Sequence, residues 1–246
     1  MKWIPNSISL LNLIIGCIAV AIAFGGDLYT AAILTLLCSI LDFLDGATAR
    51  WLNAGSETGK QLDALADLIS FGLTPAVVMF IYISNSLYEV NQSGIAFVLS
   101  SPAFLITAMS ALRLARFSAD TEDKSWFTGL PTPANALLIV SVPFVLGITV
   151  EGAIHSFLEI FIQSTPALLI VVLLLSFLLV APVRMFSLKV RNFGWKDNRI
   201  RYIFLACCIL LLITFGLSAA PLFLIFYIIL SLFDNFARFS INHKTK

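Results

Sequence analysis

Apolar runs long enough to cross a bilayer, about 17 to 25 residues each, recur near 7–25, 30–50, 61–83, 95–116, 133–150, 165–183, 201–217 and 220–237. Polar residues gather at the junctions between them. The pattern predicts an all-α polytopic transmembrane helix bundle of about eight spans. Lysine and arginine give it a direction, because cytoplasmic loops retain positive charge. Lys2, then Arg50 and Lys60, then Arg113, Arg116 and Lys124, then six basic residues from Arg184 to Arg201, then Arg238, Lys244 and Lys246 fall at alternate junctions. The junctions around Asp27, Glu89, Glu151 and Ala219 carry no lysine or arginine. All fifteen basic residues therefore lie on one side of an eight-span chain, which places both ends in the cytoplasm.

One stretch breaks the apolar pattern. From Asp42 to Asp67 the chain sets four aspartates, an arginine and several small residues where the second span meets the third. On a helix advancing about 100° per residue, Asp42 and Asp45 point about 60° apart and Asp63 and Asp67 about 40° apart, so each pair shares a face. Two facing carboxylate pairs make a cage for divalent metal. An ionised aspartate in hydrocarbon costs about 3 kcal/mol or more, so four of them need a cation or a water-filled cavity. Gly46, Ala49 and Gly59 follow the carboxylate faces and leave room for a bulky polyanion.

Composition removes other classes. Apolar residues are 59% of 246 and charged residues 12%, with a mean hydropathy of +0.97, which excludes an ordinary soluble domain. A net charge of +1 says nothing of partners, since the asymmetry that matters lies across the membrane, and the chain carries no nucleic-acid footprint. Cys17, Cys38, Cys207 and Cys208 lie in apolar runs without metal-ligand spacing and read as packing residues. The first run looks like a signal peptide at a glance, but Asn12 sits too deep for a signal core, and Ser7 is a candidate helix cap.

The order Asp42, two residues, Asp45-Gly46, two residues, Ala49-Arg50, eight residues, Gly59, three residues, Asp63, three residues, Asp67 resembles the signature of the CDP-alcohol phosphotransferase family, with every signature position matched. Further runs resemble its phosphatidylserine synthase branch. These are Pro5-Asn6 with Ser9, Asn12 and Gly16; Ser70-Phe71-Gly72 with Pro75-Ala76; Ala111 to Phe117; and Gly129 to Asn135. Ser9 and Ser118 depart from the branch, where threonine and asparagine are usual.

The resemblance implies a six-helix catalytic core over 1–190, followed over 191–246 by a basic loop and two additional helices, and commonly a homodimer. It implies CDP-diacylglycerol as donor and L-serine as acceptor. It assigns the general base to Asp67 and metal ligation to Asp42, Asp45, Asp63 and Asp67, with two Mg2+ or Mn2+ ions suiting an all-oxygen cage. The CDP-diacylglycerol contacts it implies are Asn6, Ser9, Gly46, Ala49, Arg50, Ser56 and Gly59. Free serine carries a carboxylate, for which Arg113, Arg116 and Arg184 are the candidate cations. Arg113 and Arg116 also fit membrane-edge anchors, and Arg50 a positive-inside anchor.

Direct displacement is favoured over a covalent intermediate, since no Ser, Cys or His is placed like a nucleophile with its base. Two alternatives have other chemistry. One is the same family with glycerol 3-phosphate or an inositol phosphate as acceptor; the other is a divalent-cation transporter, because intramembrane carboxylates also mark ion pathways. Short loops without targeting motifs favour a microbial plasma membrane.

Overall fold

The computed structural model describes residues 3–52, 56–88, 93–119, 127–148, 152–185 and 195–244. The chain is an all-α polytopic bundle. Its helices are α1 (Trp3–Phe24), α2 (Leu28–Trp51), α3 (Glu57–Asp67), α4 (Thr74–Tyr88), α5 (Ser93–Ser100), α6 (Leu105–Ala119), α7 (Thr132–Gly147), α8 (Ala153–Ile162), α9 (Thr165–Val180), α10 (Trp195–Phe215) and α11 (Ala220–Lys244). Two-residue strands β1 (Phe127–Thr128) and β2 (Arg184–Met185) pair antiparallel, Thr128 opposite Arg184.

Each of the eight apolar runs carries a helix, but length and composition alone give five helices able to cross a membrane, or six with one bent pair. Two differences explain the shortfall. Helix α7 has only 16 residues, fewer than a span needs. The 201–233 stretch is continuously helical by length, yet Phe204 stacks on Phe226 at 6.4 Å and meets Tyr227 edge-on at 6.0 Å. A straight helix would hold residues 204 and 227 about 35 Å apart. The chain therefore turns back at Gly216–Ala219, where Gly216 has φ 58°, and α10 and α11 form a hairpin.

The helix α8 was not anticipated. Ala153–Ile162 is a short apolar helix set at 93° to α9. The start of α1 also differs, because Ser7 lies inside the helix rather than capping it. Pro5 sits in the first turn, where its missing N–H costs nothing.

Small residues set how closely the helices meet. The buried face of α1 is Pro5, Ser9, Asn12, Gly16, Ala19 and Ala23, a seam of small and polar groups spaced three and four apart. A Cβ on Gly16 would come 2.4 Å from Ser70 Oγ, so α1 touches the chain after α3 nearly backbone to side chain. The large apolar core lies elsewhere, among α4, α6, α7, α9 and α11, around Ile83, Ile106, Ile139, Val172 and Tyr227. Outward-facing Ile14, Ile40, Phe97, Leu173 and Ile213 are exposed, as a lipid-facing surface requires.

The sequence 57–88 joins the polar end of the bundle to this core. Gly72 and Pro75 predict a bend, and the chain takes a π-helical turn, Leu68–Leu73, between α3 and α4. A π turn widens the backbone and leaves carbonyls to be satisfied from outside, and such turns are frequent at functional sites. Here Thr107 Oγ1 on α6 donates to Gly72 O at 3.1 Å, and Thr74 Oγ1 donates to Ile69 O at 3.1 Å.

Candidate active site

The four aspartates come from two adjoining helices. Asp42 and Asp45 lie in the C-terminal half of α2, and Asp63 and Asp67 in that of α3, whose N-terminus is capped by Ser56 accepting from Gly59 N at 3.0 Å. Asp42, Asp63 and Asp67 each bring one carboxylate oxygen within 4.8 Å of the others. Asp45 is 6% exposed; it accepts from Ser9 Oγ at 2.8 Å and lies within hydrogen-bonding reach of Asp63. The register read from the sequence thus places all four together.

The donor set fits a hard divalent cation. Asp63 Oδ1 and Asp67 Oδ1 are buried without a hydrogen-bond partner among the described residues. Crowded carboxylates with unpartnered oxygens repel one another unless a cation lies between them, and carboxylate oxygens are the ligands Mg2+ and Mn2+ prefer.

Of the predicted donor-substrate contacts, Ser9 touches the aspartates through Asp45. Asn6 Oδ1 and Ser56 Oγ lie 2.8 and 2.9 Å from where a Gly59 Cβ would stand, so α1, the start of α3 and Gly59 converge, and any larger residue at 59 would displace them. Gly46 faces open space except for Arg50 Nη1, 3.7 Å from a hypothetical Cβ. Arg50 is exposed at the end of α2 and Ala49 is half-buried beside it. Ser9 also lies within hydrogen-bond distance of Pro5 O, at 3.1 Å, so its hydroxyl is held between its own helix and Asp45. Gly55 and the acidic run Asp120 to Lys124 lie outside the described residues.

The three arginines separate. Arg113 turns inward, and its Nη1 donates to Thr132 Oγ1 at 2.9 Å at the start of α7. It also interacts electrostatically with Asp67 and with Tyr227 of α11. Arg116, one turn further along α6, is exposed. Arg184 contributes backbone to β2, and its side chain lies outside what is described, as does most of the basic cluster that follows.

Several groups around the site are brought together only by the fold. Asn12 is fully buried and accepts from Ser70 Oγ through Oδ1 at 3.0 Å, and Cys38 Sγ donates to Asn12 O at 3.6 Å. Lys60 Nζ donates to Ser118 O at 3.0 Å, fastening the start of α3 to the end of α6. These partners are 26 to 58 residues apart. The sequence singles out these residues one by one but gives no sign of their pairing. The start of α7 is fixed by Gly129, whose φ of 77° suits glycine. A Cβ there would stand 2.4 Å from Leu179 O. Gly129 N donates to Val183 O and Leu130 N to Leu178 O, both at 2.8 Å, which ties this segment to the end of α9.

The sequence profile of the CDP-alcohol phosphatidyltransferases matches residues 2–175, which leaves α10 and α11 outside it. Among curated proteins the chain is similar to the CDP-diacylglycerol–serine O-phosphatidyltransferase of Bacillus subtilis, 33% identical over 144 residues, covering 58% of this chain and 77% of that one. It is 36% identical over 138 residues to the protein of the same name in Helicobacter pylori, covering 55% of each. It is also 36% identical over 140 residues to the archaetidylserine synthase of Methanothermobacter thermautotrophicus, covering 56% of each. The chain thus spans about half the length of the latter two relatives.

Proposed function

The chain belongs to the CDP-alcohol phosphatidyltransferase family, and on that premise we propose that it moves a phosphatidyl group from CDP-diacylglycerol to the hydroxyl of L-serine, giving phosphatidylserine and CMP. The observation that carries this function is the convergence of Asp42, Asp63 and Asp67 within 4.8 Å, with the Arg113 charge near enough to act on Asp67. Serine transfer is further supported by the names of the relatives.

In this account Asp42, Asp45, Asp63 and Asp67 hold two divalent ions, Mg2+ or Mn2+. Bound there, the ions would neutralise the pyrophosphate and stabilise the departing CMP. Ser9 fixes Asp45 by donating to it. Arg50 offers a planar fork of donors to a pyrophosphate oxygen, and Asn6, Gly46, Ala49, Ser56 and Gly59 form the walls against the cytidine diphosphate. Asp67 accepts the proton of the serine hydroxyl as its oxygen bonds to the β-phosphorus, and the bond to the CMP oxygen breaks. Arg113 pairs with the serine carboxylate, while Arg116 and Arg184 supply positive potential at the rim.

The fold is integral to a membrane, and lysine and arginine at alternate junctions support a site facing the cytoplasm of a microbial cell, with both chain ends on that side. The family match supports a catalytic core over 1–190 followed by a two-helix addition, and we assign the active form as a homodimer. The test is CMP release from CDP-diacylglycerol by the purified protein with magnesium, supplying L-serine, glycerol 3-phosphate or inositol phosphate separately. Serine alone is expected to drive release. Release driven by another alcohol overturns the acceptor, and no release with any of them returns cation transport as the function to test.

A further inference from the structure

Buried polar groups in a membrane bundle find partners, because neither lipid nor an apolar core supplies any. Asn135 departs from that rule. Its side chain is 0% exposed, and neither Oδ1 nor Nδ2 has a hydrogen-bond partner among the described residues. It follows Thr132 by three positions on α7, about 60° round the helix, so the two share a face. Thr132 is the residue that accepts from Arg113, and Arg113 Nε is itself buried and unpartnered. Ser110, three positions before Arg113 on α6, is also fully buried with an unpartnered hydroxyl. A Cβ on Gly72 would lie 3.1 Å from that of Ser110, which sets this face of α6 against the π turn that follows Asp67.

The unused capacity of this wall has a definite chemistry. A guanidinium N–H suits a carboxylate, whereas an amide oxygen and a hydroxyl suit an ammonium group. The start of α7 carries no side-chain cap, so its end adds fixed positive partial charge for the same anion. A phosphorylated polyol would use the cation and leave the amide oxygen without a donor of comparable strength. A free α-amino acid uses both.

We propose that Asn135 is a specificity-determining residue that reads the α-ammonium group of the acceptor, while Arg113 takes its carboxylate and the hydroxyl is left to face Asp67. This rests on serine transfer as the activity. Asn135→Leu keeps the branched shape, in a somewhat larger side chain, and removes both polar atoms. With CDP-diacylglycerol saturating, the KM for serine in that variant is expected to rise about tenfold or more, as for a lost hydrogen bond to a charged group. The KM for CDP-diacylglycerol should not move. Preference for serine over 3-hydroxypropionate, which lacks the ammonium group, should shrink by a similar factor. Asn135→Asp keeps an acceptor and is expected to restore serine KM to within about threefold of the parent protein; it also serves where the leucine variant does not fold.

An unaltered serine KM in Asn135→Leu, with raised thermal stability, would mean that the amide is only a buried orphan and would overturn the proposal. So would an Asn135→Asp variant no better than one lacking the side chain. Absence of serine-driven CMP release from the unmutated protein instead overturns the activity itself, so the two failures are distinct.

Discussion

The α2–α3 hairpin and the α6–α7 wall border the same carboxylates, yet the chain builds them in opposite ways. The hairpin draws its four aspartates from 26 consecutive positions, each pair set by the register of one helix. The wall draws Arg113 and Thr132 from helices separated by a long connection, and fixes them by one hydrogen bond and the Gly129 turn. The hairpin concentrates negative charge, and the wall offers a cation and neutral polar groups. A site that joins a polyanionic donor to a small acceptor needs both. On the proposed function, the difference teaches that a carboxylate cage able to hold a metal can be encoded locally, while the wall proposed to select the acceptor is distributed over the fold.

The sharpest way to break this division is to exchange the roles. Asp63→Asn or Asp67→Asn should lower kcat for CMP release by roughly a thousandfold or more, the several kcal/mol that metal-ion charge stabilisation supplies. The variants should remain folded in detergent, with substrate KM values little changed. A large rise in serine KM alone would move these aspartates into the acceptor wall. Arg113→Gln should do the reverse, raising serine KM by about 10- to 100-fold with the KM for CDP-diacylglycerol unchanged, as expected for a lost charge-assisted pair. Equal loss in both KM values would remove the distinction.

Stability sharpens the comparison next. Gly129→Ala forces a Cβ into a left-handed backbone position and against Leu179 O, at a cost of about 2 kcal/mol or more. Thermal unfolding of the solubilised variant should begin several degrees lower, and residual activity should show the serine KM disturbed before that of the donor.

The smallest effect lies far from both regions. Asp27, between α1 and α2, accepts from Thr30 N at 2.9 Å, and these hydrogen bonds hold its carboxyl below the usual 3.8. Because the folded state lowers this pKa, the stabilisation is present in full above 3.8 and fades as pH falls through the lower folded value. The melting difference between the unmutated protein and Asp27→Ala should therefore be small, constant near neutrality and diminished below pH 3.8. A difference that grows on acidification would contradict the cap.

Much of the fold was legible because a membrane helix needs a long apolar run, and all eight runs carry helices. What escaped depends on packing. The π turn after Asp67 has no periodic signature, and α8 is too short and too amphipathic to stand out beside longer runs. Helix α7 ends at Gly147, which packs so closely on α2 that a Cβ there would strike the Tyr29 ring. Within the site, Asp42, Asp45, Asp63 and Asp67 were readable from spacing alone. The inward turn of Arg113 was not separable from the outward one of Arg116, since both occupy the same apolar-basic run three residues apart. Asn135 lay in a run noticed only for its resemblance, and its buried, unpartnered amide emerges only when α7 is placed against its neighbours.

The most direct test of the account is serine-dependent CMP release after divalent ions are removed with EDTA and Mg2+ or Mn2+ is then titrated back. The account predicts that the stripped protein is inactive, that either metal restores turnover, and that Asp63→Asn regains little at any metal concentration. Full activity in EDTA, or equal restoration in Asp63→Asn, would contradict a metal-holding role for the aspartates.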